Sequence, residues 1–92
     1  MAIDVADDPA NQRYTVSLDG QPAGFVTYTR HGDVVTLVHT EVDNAFEGKG
    51  VGSGLARGTL DDLRRRGLRV HPQCPFMARF IERHEEYSDL VA

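Results

Sequence analysis

The sequence predicts an α+β domain in which an antiparallel β meander leads into a β-α-β crossover and a C-terminal helix. Three observations predict it. Apolar and polar residues alternate in three short blocks between Gln12 and Val42, the period of half-buried strands. From Val51 the apolar residues recur at helical spacing instead. At the change of period four of the nine glycines, Gly48, Gly50, Gly52 and Gly54, fall within seven residues.

Met1 to Asn11 is short, acidic and carries Pro9; it reads as a flexible N-terminal arm ahead of a single domain over residues 12–92. Tyr14, Val16 and Leu18 then alternate with Thr15, Ser17 and Asp19, giving a first strand. Asp19-Gly20 suits a tight hairpin turn. The second strand runs from Ala23 to Arg30, His31-Gly32-Asp33 turns the chain again, and Val34 to Val42 forms the third. In the following helix Val51, Leu55, Ala56, Leu60 and Leu63 share one face. Arg64, Arg65 and Arg66 close it where cations favour the helix dipole, and Gly67 caps it. Leu68 to His71 reads as a fourth strand, parallel to the third because a helix joins them. Pro75 then opens a second helix whose apolar face is Phe76, Met77, Phe80 and Ile81. Glu85 to Ala92 carries no clear pattern.

The composition narrows the function classes. A net charge of −4 argues against a general nucleic-acid binder. One cysteine excludes an internal disulfide, and no Cys/His spacing suits a zinc site, so no metal is expected. The N-terminus carries no signal-like apolar run and no stretch approaches a membrane span, so a cytoplasmic protein without membrane partners is expected. The free edges of a four-stranded sheet leave a monomer or a weak homodimer open.

The glycines lie where a strand leaves the sheet and a helix begins. A helix N-terminus presents unpaired amides and the positive end of the dipole, and glycines let a phosphate reach them. A Walker loop requires Lys followed by Ser or Thr, but Lys49 precedes Gly50. A dinucleotide fingerprint requires a third glycine five residues after the first; Ser53 and Leu55 stand there.

Glu47-Gly48-Lys49-Gly50-Val51-Gly52 resembles the Arg/Gln-x-x-Gly-x-Gly/Ala pyrophosphate loop of the GNAT superfamily of acetyl-CoA-dependent N-acetyltransferases. "HTEV" before it, then "GLARGTLDDLRRRGLRV" and "HPQCPFMARFIERHEEY" after it, resemble a subfamily of very short GNAT-like proteins. These carry a Thr-Glu-Val strand end, a Pro-x-Cys after the next strand and a terminal Tyr. The likeness is good from Val34 to Leu90. It implies a minimal GNAT-like fold whose two parallel strands splay apart, with the pantetheine arm of acetyl-CoA lying between them. It also implies backbone contacts to pantetheine at Glu41 and Val42, and a pyrophosphate site on the amides of Gly48, Lys49, Gly50, Val51, Gly52 and Ser53. Lys49, with Arg79 or Arg83 near the 3′-phosphate, would add positive charge. The co-substrate is then acetyl-CoA, and the partner an amine acceptor.

Acetyl transfer needs a free amine and a route for protons. Glu41 and His39 are two residues apart on a strand and share a face. The resemblance makes Glu41 the candidate base, with His39 beside it as a direct participant or a structural histidine. Cys74, between Pro72 and Pro75 at the start of the second helix, is placed by the resemblance near the thioester sulfur. There it would accept the acetyl group, protonate the departing thiolate, or simply pack the corner as a small apolar residue. Two residues depart from the pattern: Glu47 stands where Arg or Gln is usual, and Phe76 where relatives often have a tyrosine acid. Only three predicted strands precede the glycine loop, so the acceptor site is expected to be open and the activity to be N-acetylation of an exposed amine on a peptide, protein or polyamine. The two departures leave a non-catalytic acyl-CoA-binding module as the alternative.

Overall fold

A computed structural model describes residues 2–92. Five strands, β1 (Ile3–Asp8), β2 (Arg13–Leu18), β3 (Gln21–His31), β4 (Val34–Val42) and β5 (Arg69–Pro72), form one sheet in sequential order. Helix α1 (Val51–Arg65) crosses from β4 to β5, and α2 (Pro75–Arg83) follows. The first four strands are antiparallel and β5 is parallel to β4. This is the meander, crossover and C-terminal helix that the periodicities predict.

The N-terminal arm expected over residues 1–11 is corrected. Met1 lies outside the described residues, but Ile3–Asp8 is a strand, in register with β2 from Ile3 opposite Leu18 to Asp8 opposite Arg13. The sheet therefore has five strands, not four. The reason is packing. Ile3 and Val5 lie against α1, where a Cβ on Gly54 would stand 2.7 Å from Ile3 Cγ2 and one on Gly58 would stand 2.6 Å from Val5 Cγ2. Two helix positions without side chains thus let the edge strand dock.

The Asp19-Gly20 turn has both residues at positive φ, 50° and 83°, as the tight hairpin requires. At the end of α1 the Leu68 amide donates to the Leu63 carbonyl at 2.9 Å and the Gly67 amide to Arg64 at 3.0 Å, the capping pattern expected around Gly67. The fourth predicted strand shifts by one residue to Arg69–Pro72. The unassigned tail forms a 3-10 helix over Glu85–Leu90 and ends in a bridge between Val91 and Val70. Arg64 holds it through Asp89 at 2.9 Å, and the Tyr87 hydroxyl donates to Asp61 at 2.7 Å.

One face of the sheet is covered and the other is open. Tyr14, Val16, Val26, Val35 and Leu37 are buried in one core with Leu55, Leu60 and Leu63 of α1 and Met77, Phe80 and Ile81 of α2. Phe76, expected on that apolar face, is instead 38% exposed and lies beside Gly52 at the mouth of α1. Arg13, Thr15, Phe25, Thr27, His39 and Glu41 occupy the open face, aligned across β2, β3 and β4.

A hydrogen-bonded cluster ties β1, β2 and β3 together at the end of α1. Tyr14 donates to Asp62 at 2.5 Å, Tyr28 to Asp7 at 2.7 Å, and Arg66 to Asp7 at 3.0 Å. Burial, then the bond to Asp62, holds the Tyr14 hydroxyl well above the ordinary tyrosine range. Burial and Asp7 push Tyr28 up to about 12. Burial also pushes the Asp62 carboxyl up, but hydrogen bonds from Tyr14, Arg66 and Arg65 outweigh it and leave the group below its ordinary value.

Candidate active site

The parallel pair is short. β4 and β5 are in register only from Val34 opposite Arg69 to Leu37 opposite Pro72. The Leu37 carbonyl then accepts from the Cys74 amide at 2.9 Å, and the chain turns into α2 at Pro75. Beyond Leu37 no residue of β4 pairs with β5, and His39 to Val42 are paired on the β3 side alone. The edge of β4 is thus open over five residues, which is the predicted splay.

Two side chains border this opening. Val38 is 37% exposed and Phe76 38% exposed, the large apolar residues that the fold leaves in solvent. Val38 is also where the register slips: Leu37 faces Tyr28 and His39 faces Thr27, leaving Val38 as the extra residue of a bulge. A bulge re-aims the residues after it. Val35 and Leu37 point into the core before it, and Thr40 and Val42 are the partly buried residues after it.

Beyond Val42 the chain enters a 3-10 turn over Asn44–Phe46, capped by Asp43, whose carboxylate accepts from the Ala45 amide at 2.9 Å. Gly48 and Gly50 follow with φ of 79° and 78°, a left-handed backbone that costs an ordinary residue about 1–2 kcal/mol. Gly50 is the N-cap of α1, and the first helical bond runs from the Gly54 amide to the Gly50 carbonyl at 2.9 Å. Among the described residues the amides of Gly48, Gly50, Val51, Gly52 and Ser53 have no hydrogen-bond acceptor, whereas the Lys49 amide donates to Phe46 at 3.2 Å. At Lys49 only the exposed side chain is therefore free to meet a ligand. Glu47 is exposed with no ion-pair partner among the described residues.

The four glycines have separate causes. Gly48 and Gly50 carry the positive φ values, with nothing within 4 Å of a Cβ at either position. A Cβ on Gly52 would approach Phe76 Cζ to 3.1 Å, and Gly54 makes room for Ile3. The cluster thus shapes an open backbone at its start and permits packing at its end.

The residues singled out for chemistry divide between the two faces. His39 Nε2 and Glu41 Oε2 are 3.1 Å apart on the open face, with side chains 59% and 61% exposed. Cys74 is buried at 4% exposure, and its Sγ lies 3.1 Å from Thr40 Oγ1 on the core face. Cys74 has N-cap backbone geometry but makes no side-chain cap bond. Tyr87, bonded to Asp61, is buried against the far side of α1. Thr40 is a neighbour that sequence reasoning passed over, although it stands inside the quoted "HTEV".

On the open face the cleft beside Glu41 has a volume of about 600 Å³ and is bordered by Arg13, Thr15, Phe25, Glu41 and Asp43. Arg13 lies over the Phe25 ring at 5.3 Å, and the His39 ring is 6.4 Å from it. Gly24 lets β3 and β4 approach here, because a Cβ would fall 2.4 Å from the Glu41 carbonyl oxygen. Among the described residues no group of three His, Cys, Asp or Glu is placed to hold a metal ion, and no helix is long and apolar enough to cross a membrane.

Comparison with known proteins agrees with this geometry. The family described as GCN5-related N-acetyl-transferase matches residues 13–90. Protein NATD1 of Bos taurus is 33% identical over 82 residues, covering 87% of this chain and 73% of that protein. Its Homo sapiens counterpart is 30% identical over 82 residues, with 87% and 73% covered. The solution structure of a GCN5-like protein from Staphylococcus aureus superposes with a TM-score of 0.73 over 97% of this chain and 87% of that one, at 19% identity, a likeness of fold. The ribosomal-protein-S18-alanine N-acetyltransferase of Escherichia coli gives 0.59 at 25% identity, over 67% of this chain and 44% of that one. With the family matched from β2 to the C-terminal 3-10 helix, the chain belongs to the GCN5-related N-acetyltransferases.

Proposed function

We propose that this protein binds acetyl-CoA and transfers its acetyl group to an exposed amine. The supporting observation is the continuity between two unsatisfied backbone surfaces. The open edge of β4 over Val38–Val42 leads, through one short turn, to five unpaired amides between Gly48 and Ser53. An extended chain ending in a pyrophosphate fits that path: main-chain groups at Glu41 and Val42 suit a strand-like arm, and the α1 N-terminus suits the anion. Val38 and Phe76 would cover the arm's apolar part, and Lys49 would add a cation. The bound co-substrate supplies an activated thioester.

The chain's own residues then divide the proton work. Glu41, held by His39, faces the open cleft and takes a proton from the incoming ammonium, leaving the amine lone pair free to attack the thioester carbon. As the C–N bond forms and the C–S bond breaks, the nitrogen gives up its second proton to solvent and the departing thiolate takes one. A side chain that supplies it is reprotonated from solvent, so one proton is released per turnover. Cys74 at the corner between β5 and α2 is the candidate donor, with Thr40 holding its sulfur. Phe76 cannot supply one, which favours Cys74 or water.

The Phe76 position also supports a second reading, a non-catalytic acyl-CoA-binding module. Turnover separates the two. Release of CoA thiol from acetyl-CoA in the presence of an amine, lost in Glu41→Gln, supports the transferase. Tight binding without acceptor-dependent thiol release supports the module.

A further inference from the structure

The open face carries a charge pattern that bears on the acceptor. Arg13, Phe25, His39 and Glu41 lie in one band across β2, β3 and β4. The Arg13 guanidinium sits 5.3 Å over Phe25 from one side, and the His39 ring is 6.4 Å away on the other. Asp8 holds Arg13 through Nε at 3.3 Å, and neither Nη group has a hydrogen-bond partner among the described residues. The fork is thus oriented from behind with its outer donors free. Arg13 and Glu41 border the same cleft, with Asp43 beyond Glu41. The cleft has carboxylates at one end, a guanidinium at the other and an aromatic floor between.

We propose that the acceptor is an amine that also carries an anionic group, a carboxylate or its equivalent, and that Arg13 selects for it. The inference rests on the transferase reading, because it assigns the amine to Glu41. Two strand spacings separate β2 from β4, so the amine and the anion would lie about 5–8 Å apart once the reach of both side chains is allowed for. A guanidinium with free Nη donors suits a planar carboxylate. A polyamine is disfavoured by the same geometry: with one nitrogen at Glu41, its second ammonium would fall against Arg13. This narrows the acceptor class from exposed amines in general to amino acids in the broad sense, including chain ends and side chains next to a carboxylate.

The test is an amide-resolved NMR titration of the ¹⁵N-labelled full chain with 6-aminohexanoate, hexylamine and pentane-1,5-diamine. It is repeated in Arg13→Gln and Arg13→Glu, with CoA release followed in parallel. The expected result is that 6-aminohexanoate binds most tightly, shifts the amides of Phe25 and Glu41, and loses at least tenfold in affinity in Arg13→Gln. In Arg13→Glu the diamine should gain over it. Should Arg13→Glu fail to fold beside Asp8, Arg13→Gln decides alone. The proposal is overturned if the diamine binds the wild type as well as 6-aminohexanoate does, if Arg13→Gln leaves the amino acid's affinity unchanged, or if none of the three shifts these amides. Selective binding without CoA release would overturn the transferase reading and leave the selectivity intact. CoA release indifferent to Arg13 would do the reverse.

Discussion

Thr40 and Cys74 meet on the core face of the sheet, Oγ1 to Sγ at 3.1 Å, while the residues on either side of Thr40, His39 and Glu41, pair with each other on the opposite face. The strand therefore separates a buried thiol from an exposed carboxylate by the thickness of one backbone. A co-substrate arm lying along the open edge of β4 would have one group on each side of it. That arrangement suits a reaction in which one proton leaves the nucleophile and another reaches the leaving group.

Glu41→Gln should lower kcat by about 10²–10⁴-fold, the usual contribution of a positioned base, with unchanged thermal stability because the side chain is exposed. Steady-state kinetics with a melting curve checks both. His39→Ala should have a smaller effect, since it acts through Glu41.

Cys74→Ala should lower kcat by about tenfold or more if the thiol donates its proton, the low end for general acids, while the KM for acetyl-CoA stays within a factor of two. It should also cost about 1 kcal/mol, because a buried atom is removed from the corner. Thr40→Val keeps the volume and removes the hydrogen-bonding oxygen, so a matching fall in kcat there would show that the sulfur acts through that contact. An unchanged kcat in both variants would make the pair purely structural.

Gly58→Ala should destabilise the fold although alanine is the better helix former. The new methyl would fall 2.6 Å from Val5 Cγ2, and overpacking costs about 1–3 kcal/mol against a helix gain of about 1 kcal/mol. The double variant Val5→Ala, Gly58→Ala should recover part of the loss. Denaturant melts of the four proteins in this cycle measure the coupling.

The cluster around Tyr14 and Tyr28 sets an alkaline limit. Both hydroxyls have raised pKa values in the folded protein, so the folded state holds their protons more tightly than the unfolded chain does. That stabilisation is complete below the ordinary tyrosine value near 10 and is lost as pH rises; for Tyr28 the window runs from about 10 to about 12. Asp62 acts in the opposite sense: its lowered pKa contributes stability at neutral pH that is lost in acid. Melting temperature should therefore fall on both sides of neutrality. Tyr28→Phe should flatten the alkaline side.

Strong periodicity made much of the fold legible. Tyr14, Val16 and Leu18 declare a strand by themselves, and the helical recurrence from Val51 to Leu63 declares α1. β1 was not legible because its apolar pair, Ile3 and Val5, is short and sits among aspartates. Its evidence lies more than fifty residues further along the chain, in the four-residue spacing of Gly54 and Gly58, which only the folded packing connects to Ile3 and Val5. The strand-to-helix turn was legible from its glycines, but their division of labour was not: Gly54 makes room for Ile3 of β1, and Gly52 for Phe76. The shared face of His39 and Glu41 followed from strand alternation. Their separation from Cys74 depends on which face the helices cover and on the bulge at Val38, neither of which a single strand encodes. Arg13 stacking over Phe25 is likewise a product of cross-strand register.

Acetyl-CoA binding, as proposed, requires that the five unpaired amides between Gly48 and Ser53 receive the pyrophosphate. A thermal-shift titration with acetyl-CoA, set against ATP and NAD, tests this before any acceptor is known. At a hundred times its dissociation constant a ligand stabilises by about 2.7 kcal/mol, which for a chain of this length is roughly ten degrees or more. The expected result is a shift of that size with acetyl-CoA and CoA, little with ATP or NAD, and a strongly reduced shift in Gly50→Ala. No shift at millimolar acetyl-CoA, or an equal one with all four ligands, would contradict it.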